Sequence, residues 1–179
     1  MQRNWHATVI TVSDSPERRD AQDDASGDLI VERLGTLPAE IVCRQGVPDD
    51  VEEIRSAVSE AIGRSDLVIL TGGTGLGPRD VTPQAILPLL DYQVPGIEEA
   101  MRRDGLLSTP YAMLSRQVVG VIKGRLVIAL PGSPRAVGEC LNSIWPALPH
   151  ALCLLVGDTS PHERRADARV EPGNDHPPM

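Results

Sequence analysis

The sequence predicts an α/β domain of three layers, αβα, with a mainly parallel sheet and an antiparallel hairpin added at one edge. Two observations lead there. Short apolar runs of strand length alternate with stretches whose apolar residues recur at helical spacing. Aromatic residues make up only 2% of the 179-residue chain and Phe is absent, so the core must be Leu, Ile, Val and Ala, the usual filling of a sheet covered on both faces.

Residues 7–12 read as a buried first strand, closed by Ser13-Asp14-Ser15-Pro16. Residues 17–24 are charged and without period, which predicts a mobile loop. A helix starts near Ser26 and ends at Gly35, and residues 40–44 form a short second strand. Asp49 or Asp50 opens an amphipathic helix whose Val51, Ile54, Ala57, Val58, Ala61 and Ile62 follow the i, i+3, i+4 rule. Residues 66–71 are the most buried-looking strand, and a glycine-rich turn, Thr71 to Asp80, follows at once.

Thr82-Pro83 reads as an N-cap with proline at the first helical position. Pro95-Gly96 precedes a helix through Arg103. Residues 117–122 and 125–130 flank Lys123-Gly124, a two-residue hairpin turn. Pro131-Gly132-Ser133-Pro134 leads into a helical region that Pro146 and Pro149 should kink or divide. Residues 1–157 therefore read as one domain, and the charged, proline-rich residues 158–179 as a disordered tail.

Composition narrows the function. A formal net charge of −8 opposes nucleic-acid binding. The three cysteines contain no C-x-x-C pair and suit a reducing cytosol. No secretory signal and no run of membrane-spanning length is evident, so the expected location is the cytoplasm, away from membranes. His6, His150, His162 and His176 lack metal-ligand spacing, and zinc is not expected.

Ligands of open parallel sheets gather beyond the carboxyl ends of the strands, where the glycine turn falls. Its bare N–H groups suit an anion. It is not a P-loop, because Pro78 stands where lysine belongs; nor is it a dinucleotide fingerprint, because Pro78 also takes the third glycine position. Asp80 beside such a cradle would repel a phosphate unless a cation lay between them, and Mg²⁺ held by one or two carboxylates plus phosphate oxygens is the economical reading. On spacing alone, Asp80 reads equally well as a turn or capping residue, and Asp49 as a helix cap. Arg79 offers further positive charge. Ser13 and Asp14 lie at a strand end. Ser115-Arg116 could bind an anion but reads better as a solvated loop. Gly132 and Ser133 stand before a helix N-terminus that could receive a ligand.

Four segments in order, VPDD (47–50), TGGTGLGPRDVTPQA (71–85), AMLSR (112–116) and LPGSPRAV (130–137), resemble the molybdenum-cofactor biosynthesis proteins of the MoaB/Mog type, themselves similar to the G domain of gephyrin. The resemblance runs from about Ala7 to Gly157. It implies a molybdopterin adenylyltransferase that moves AMP from ATP to the molybdopterin phosphate with Mg²⁺ and releases pyrophosphate; the alternative is a non-catalytic molybdopterin carrier. It further implies a homotrimer and a downstream molybdenum-insertion enzyme as partner. By position it places the two important aspartates, catalytic and metal-holding, on Asp49 and Asp80. It puts a pterin-binding serine at Ser115, beside Arg116, and the nucleotide pocket at Gly72, Gly73, Thr74 and Gly75, closed by Gly132 and Ser133. Ser13 and Asp14 match its VSD block. One departure is visible: Gln84 stands where many relatives carry an acid that either supports a helix N-terminus or helps to hold metal.

Overall fold

A computed structural model describes residues 4–157; the tail read from the sequence, 158–179, lies outside the described residues. The elements in chain order are β1 (Trp5–Val12), α1 (Pro16–Arg19), α2 (Ala25–Leu34), β2 (Ala39–Val47), α3 (Val51–Ile62), β3 (Leu67–Thr71) and α4 (Thr82–Ile86). They continue with β4 (Tyr92–Gln93), α5 (Pro95–Ser108), β5 (Val118–Ile122), β6 (Arg125–Leu130), α6 (Pro134–Ile144) and α7 (Leu148–Leu155).

The six strands form one sheet in the order β2-β1-β3-β6-β5-β4. Strands β2, β1, β3 and β6 are mutually parallel, while β5 and β4 run antiparallel to their neighbours. The period of two along each strand divides its side chains between two cores. Ala7, Val9, Leu67, Ile69, Leu126, Ile128 and Leu130 enter one, packed with residues of α2, α6 and α7. Ile10, Val12, Val68, Leu70, Val127 and Ala129 enter the other, packed with Ile54, Ala57, Val58 and Ala61 of α3 and Ala85 and Ile86 of α4. Burying each of the larger aliphatic side chains contributes about 1.5–3 kcal/mol, so both helical layers are needed to hold the sheet.

Several boundaries differ from the sequence reading, each for a physical reason. The segment read as a mobile loop contains the single turn α1, and its end is closed by hydrogen bonds from Asp20 N to Pro16 O, Ala21 N to Arg18 O and Gln22 N to Glu17 O. Strand β2 runs to nine residues instead of five, because pairing along the whole of β1 overrides its mixed polarity. Helix α5 continues to Ser108 past Gly105, whose missing side chain admits the Ala112 methyl: a Cβ there would lie 3.0 Å from it.

Lys123 (φ 49°) and Gly124 (φ 74°) make the expected hairpin turn. The hairpin is not itself the sheet edge, however. Its second strand β6 lies inside, against β3, and the two-residue strand β4 covers β5. The long final helical region is divided, as its prolines require, into α6, a 3₁₀ turn over Trp145–Ala147, and α7.

Candidate active site

The parallel strands place their last residues in register: Val12 beside Val47, Thr11 beside Thr71, and Thr71 beside Leu130. The turns that follow must therefore emerge side by side at one sheet end. They surround a cavity of about 650 Å³. Of the candidate residues, Ser13, Asp49, Gly72, Gly73, Thr74, Gly75, Asp80, Ser115, Gly132 and Ser133 all line it.

The floor is the glycine turn, fastened from every side. Gly72 (φ 104°) and Gly73 (φ 65°) adopt backbone conformations that disfavour side chains. A Cβ on Gly72 would stand 2.2 Å from the Val12 carbonyl oxygen. The Gly72 N–H donates to Leu130 O (3.2 Å), and the Thr71 hydroxyl donates to Pro131 O (2.7 Å). Thr82 is not the helix cap that its sequence suggests. It is the first residue of α4, and its buried hydroxyl donates to Gly72 O (2.8 Å) while its N–H donates to Gly73 O (3.0 Å).

Arg116 also differs from expectation. Its guanidinium donates to two carbonyls, Gly75 O (2.8 Å) and Asp80 O (2.6 Å), and its N–H donates to Thr74 O (2.8 Å). It clamps the turn and does not line the cavity. Ser115 Oγ, by contrast, lines it, 3.4 Å from Thr74 Oγ1.

Asp50 caps α3 by accepting from Glu52 N and Glu53 N, which leaves the Asp49 carboxylate free of that task. Asp80 Oδ2 accepts from Gly77 N (2.8 Å). A Cβ on Gly75 or Gly77 would lie within 2.8 Å of the same oxygen, so only glycine admits the carboxylate here. Asp14 takes both arms of Arg79, at 2.9 Å each, and accepts from Asp49 N (3.1 Å). Arg79 therefore neutralises Asp14 and lies outside the cavity lining; its guanidinium holds the Asp14 carboxyl below the usual range. The Asp49 carboxyl is pushed the other way, first by burial and then by the charges of Asp14 and Asp80.

This set fits a divalent cation of one kind. Among the described residues there is no cluster of three or more His, Cys, Asp or Glu able to form a cage. Two carboxylates facing one cavity, with Asp49 partly desolvated, suit an ion that completes its coordination with phosphate oxygens and water, as Mg²⁺ does. Gln84 is exposed on α4 and absent from the cavity lining; its carbonyl accepts from Arg55 (3.4 Å). Its position is that of a residue in the first turn of a helix.

Part of the wall was not read from the sequence. Asp24 is buried, caps α2 through Gly27 N (2.9 Å), accepts from Thr11 Oγ1 (2.6 Å) and pairs with Arg44 at 3.0 Å. Beside it, Ser26 Oγ donates to Gly132 O (2.9 Å). Arg18 also lines this wall, and the exposed Leu76, Tyr111 and Leu114 add apolar surface to the lining. Asp23-Asp24 directly before the helical pattern, an acidic pair at a possible N-cap, is the available signal.

Comparison with known proteins identifies the family of the chain. Residues 8–150 match the family described as "Probable molybdopterin binding domain". The chain is 47% identical over 84% of its length to a molybdenum cofactor biosynthesis bifunctional protein of Synechococcus elongatus, of which it spans 47%. It spans about half or less of the gephyrin-type and bifunctional relatives it matches. It is 35% identical to the molybdopterin adenylyltransferase of Helicobacter pylori, the match taking in 86% of this chain and 89% of that protein. Among solved structures, the molybdopterin biosynthesis enzyme MoaB of Thermus thermophilus superposes with a TM-score of 0.77 at 42% identity, over 86% of this chain and 97% of that one. The chain belongs to the molybdopterin-binding domain family of molybdenum cofactor biosynthesis.

Proposed function

We propose that this protein is a molybdopterin adenylyltransferase, a nucleotidyltransferase that moves AMP from ATP to the terminal phosphate of molybdopterin. The observation that carries the reading is the meeting of Asp49, Asp80 and the amide-lined glycine turn in one cavity, because transfer between two anions needs positioning and charge neutralisation above all.

A phosphate oxygen of molybdopterin attacks the α-phosphorus of ATP. The new P–O bond forms as the bond from that phosphorus to the bridging oxygen breaks, and pyrophosphate leaves. Gly73 to Gly75 cradle phosphate with their backbone, Gly72 anchors them through its bond to Leu130, and Ser133 and Gly132 close the nucleotide end. Ser115, with the apolar surface of Leu76, Tyr111 and Leu114, receives the flat pterin. Asp49 and Asp80 would hold Mg²⁺, which when bound supplies Lewis-acid neutralisation of the phosphate charge. Arg116 and Thr82 keep the turn in shape, and Ser13 and Asp14 brace its neighbouring strand end.

The same reading carries a homotrimer, transfer of the product to a molybdenum-insertion enzyme and a cytoplasmic location. The relative named molybdopterin adenylyltransferase supports the chemistry. Purified protein incubated with molybdopterin, ATP and Mg²⁺ should release pyrophosphate, and Asp80→Asn should abolish release while retaining wild-type circular dichroism. Pterin binding without pyrophosphate release would make the protein a carrier instead.

A further inference from the structure

The cavity has an unbalanced charge for the ligands it is proposed to take. The carboxylates of Asp23, Asp24, Asp49 and Asp80 line it, and of these Asp24 is offset by Arg44. Among the described residues, Arg18 is the one cationic side chain in its lining. Nucleotide phosphates entering such a space need fixed positive charge in addition to a divalent ion.

Arg18 is also presented by a built structure. The backbone of α1 lies against β2 at Gly46, where a Cβ would fall 2.2 Å from Arg19 Cα, so only glycine permits the approach. The Arg19 guanidinium reaches the carbonyls of Ser13 and Asp14, at 3.4 Å each. Ala21 (φ 57°) turns the chain back, and its N–H donates to Arg18 O (3.1 Å). With Arg19 tying the turn to the strand end, its neighbour Arg18 is left exposed at the cavity, on the wall that carries Asp24 and Ser26. Ser26 in turn is bonded to Gly132, beside the nucleotide end.

We infer that Arg18 binds the phosphate chain of the nucleoside triphosphate, a role that rests on the adenylyltransferase reading. The guanidinium donates to phosphate oxygens and holds the triphosphate against the glycine floor.

Isothermal titration of the full chain with ATP in the presence of Mg²⁺ tests it. Arg18→Ala should weaken ATP binding about tenfold, a charge-assisted contact discounted for its exposure. Arg18→Lys should recover part of the loss, because it keeps the charge without the fork. Arg103→Ala, which removes the same charge from an exposed site on α5, should leave the affinity unchanged. Adenosine, which lacks phosphate, should bind wild type and Arg18→Ala alike, and molybdopterin affinity should not move. The inference is overturned by wild-type ATP affinity in Arg18→Ala, by equal loss of adenosine binding, or by a loss confined to molybdopterin. A wild-type protein that binds molybdopterin but no ATP would overturn the adenylyltransferase reading itself, and the role of Arg18 with it.

Discussion

Replacing Gly73 by alanine tests how the glycine turn is held. The residue sits at φ 65°, where an L side chain costs about 1–2 kcal/mol. Its new Cβ would lie 2.4 Å from Thr82 Oγ1 and 3.0 Å from Asp49 Oδ1. The hydroxyl must move, and with it goes the buried bond to Gly72 O, a loss of about 1–3 kcal/mol. The sum is about 2–5 kcal/mol, which for a domain of this size lowers Tm by roughly 4–20 °C. The decisive assay is a double-mutant cycle followed by urea denaturation. In a Thr82→Ala background the obstructing hydroxyl is already gone and the Asp49 carboxylate, at 3.0 Å, need shift by only a few tenths of an ångström, so Gly73→Ala should there cost mainly the backbone strain, about 1–2 kcal/mol. Equal costs in the two backgrounds would refute the contact between the turn and Thr82.

Three further outcomes follow from the same geometry. Arg116→Met should lose about 1–3 kcal/mol of stability and nearly all pyrophosphate release, because Asp80 loses the bond on its carbonyl; chemical denaturation and a coupled pyrophosphate assay check both. Asp49 has a raised pKa, so the folded state binds more protons than the unfolded one between the two values, and Asp49 lowers stability as pH rises through that window. Asp49→Asn should thus be inactive yet at least as heat-stable as wild type at pH 7, with no such advantage below the carboxylate range; Tm against pH reads this. Burial pushes the Cys140 thiol up to about 12, so in the native protein it should resist iodoacetamide at pH 8, as peptide mass mapping would show.

Much of this architecture is legible in the residues because local signals and burial agree. Val51 to Ile62 has one apolar stripe and becomes α3; Lys123-Gly124 accepts positive φ and becomes the hairpin turn. The glycine turn was legible as a site for the same reason, since its backbone has few other uses. What escaped depended on partners far along the chain. The polar strand β2 is made by β1, and Asp24 is buried only because Arg44 and Thr11 meet it. Arg79 and Arg116, both plausible anion binders by composition, are directed instead to Asp14 and to backbone carbonyls across 65 and 36 residues. Spacing also left the choice of cap between Asp49 and Asp50 open, and the structure assigns it to Asp50, freeing Asp49.

The central claim is the transfer of AMP, and isotopic labelling tests it most directly. With ATP labelled at the α-phosphorus, molybdopterin and Mg²⁺, the label should appear in a pterin product in equal amount to the pyrophosphate released, while γ-labelled ATP should label only pyrophosphate. Label from the γ-position in the pterin, or ATP consumption that leaves the pterin unlabelled, would contradict the account.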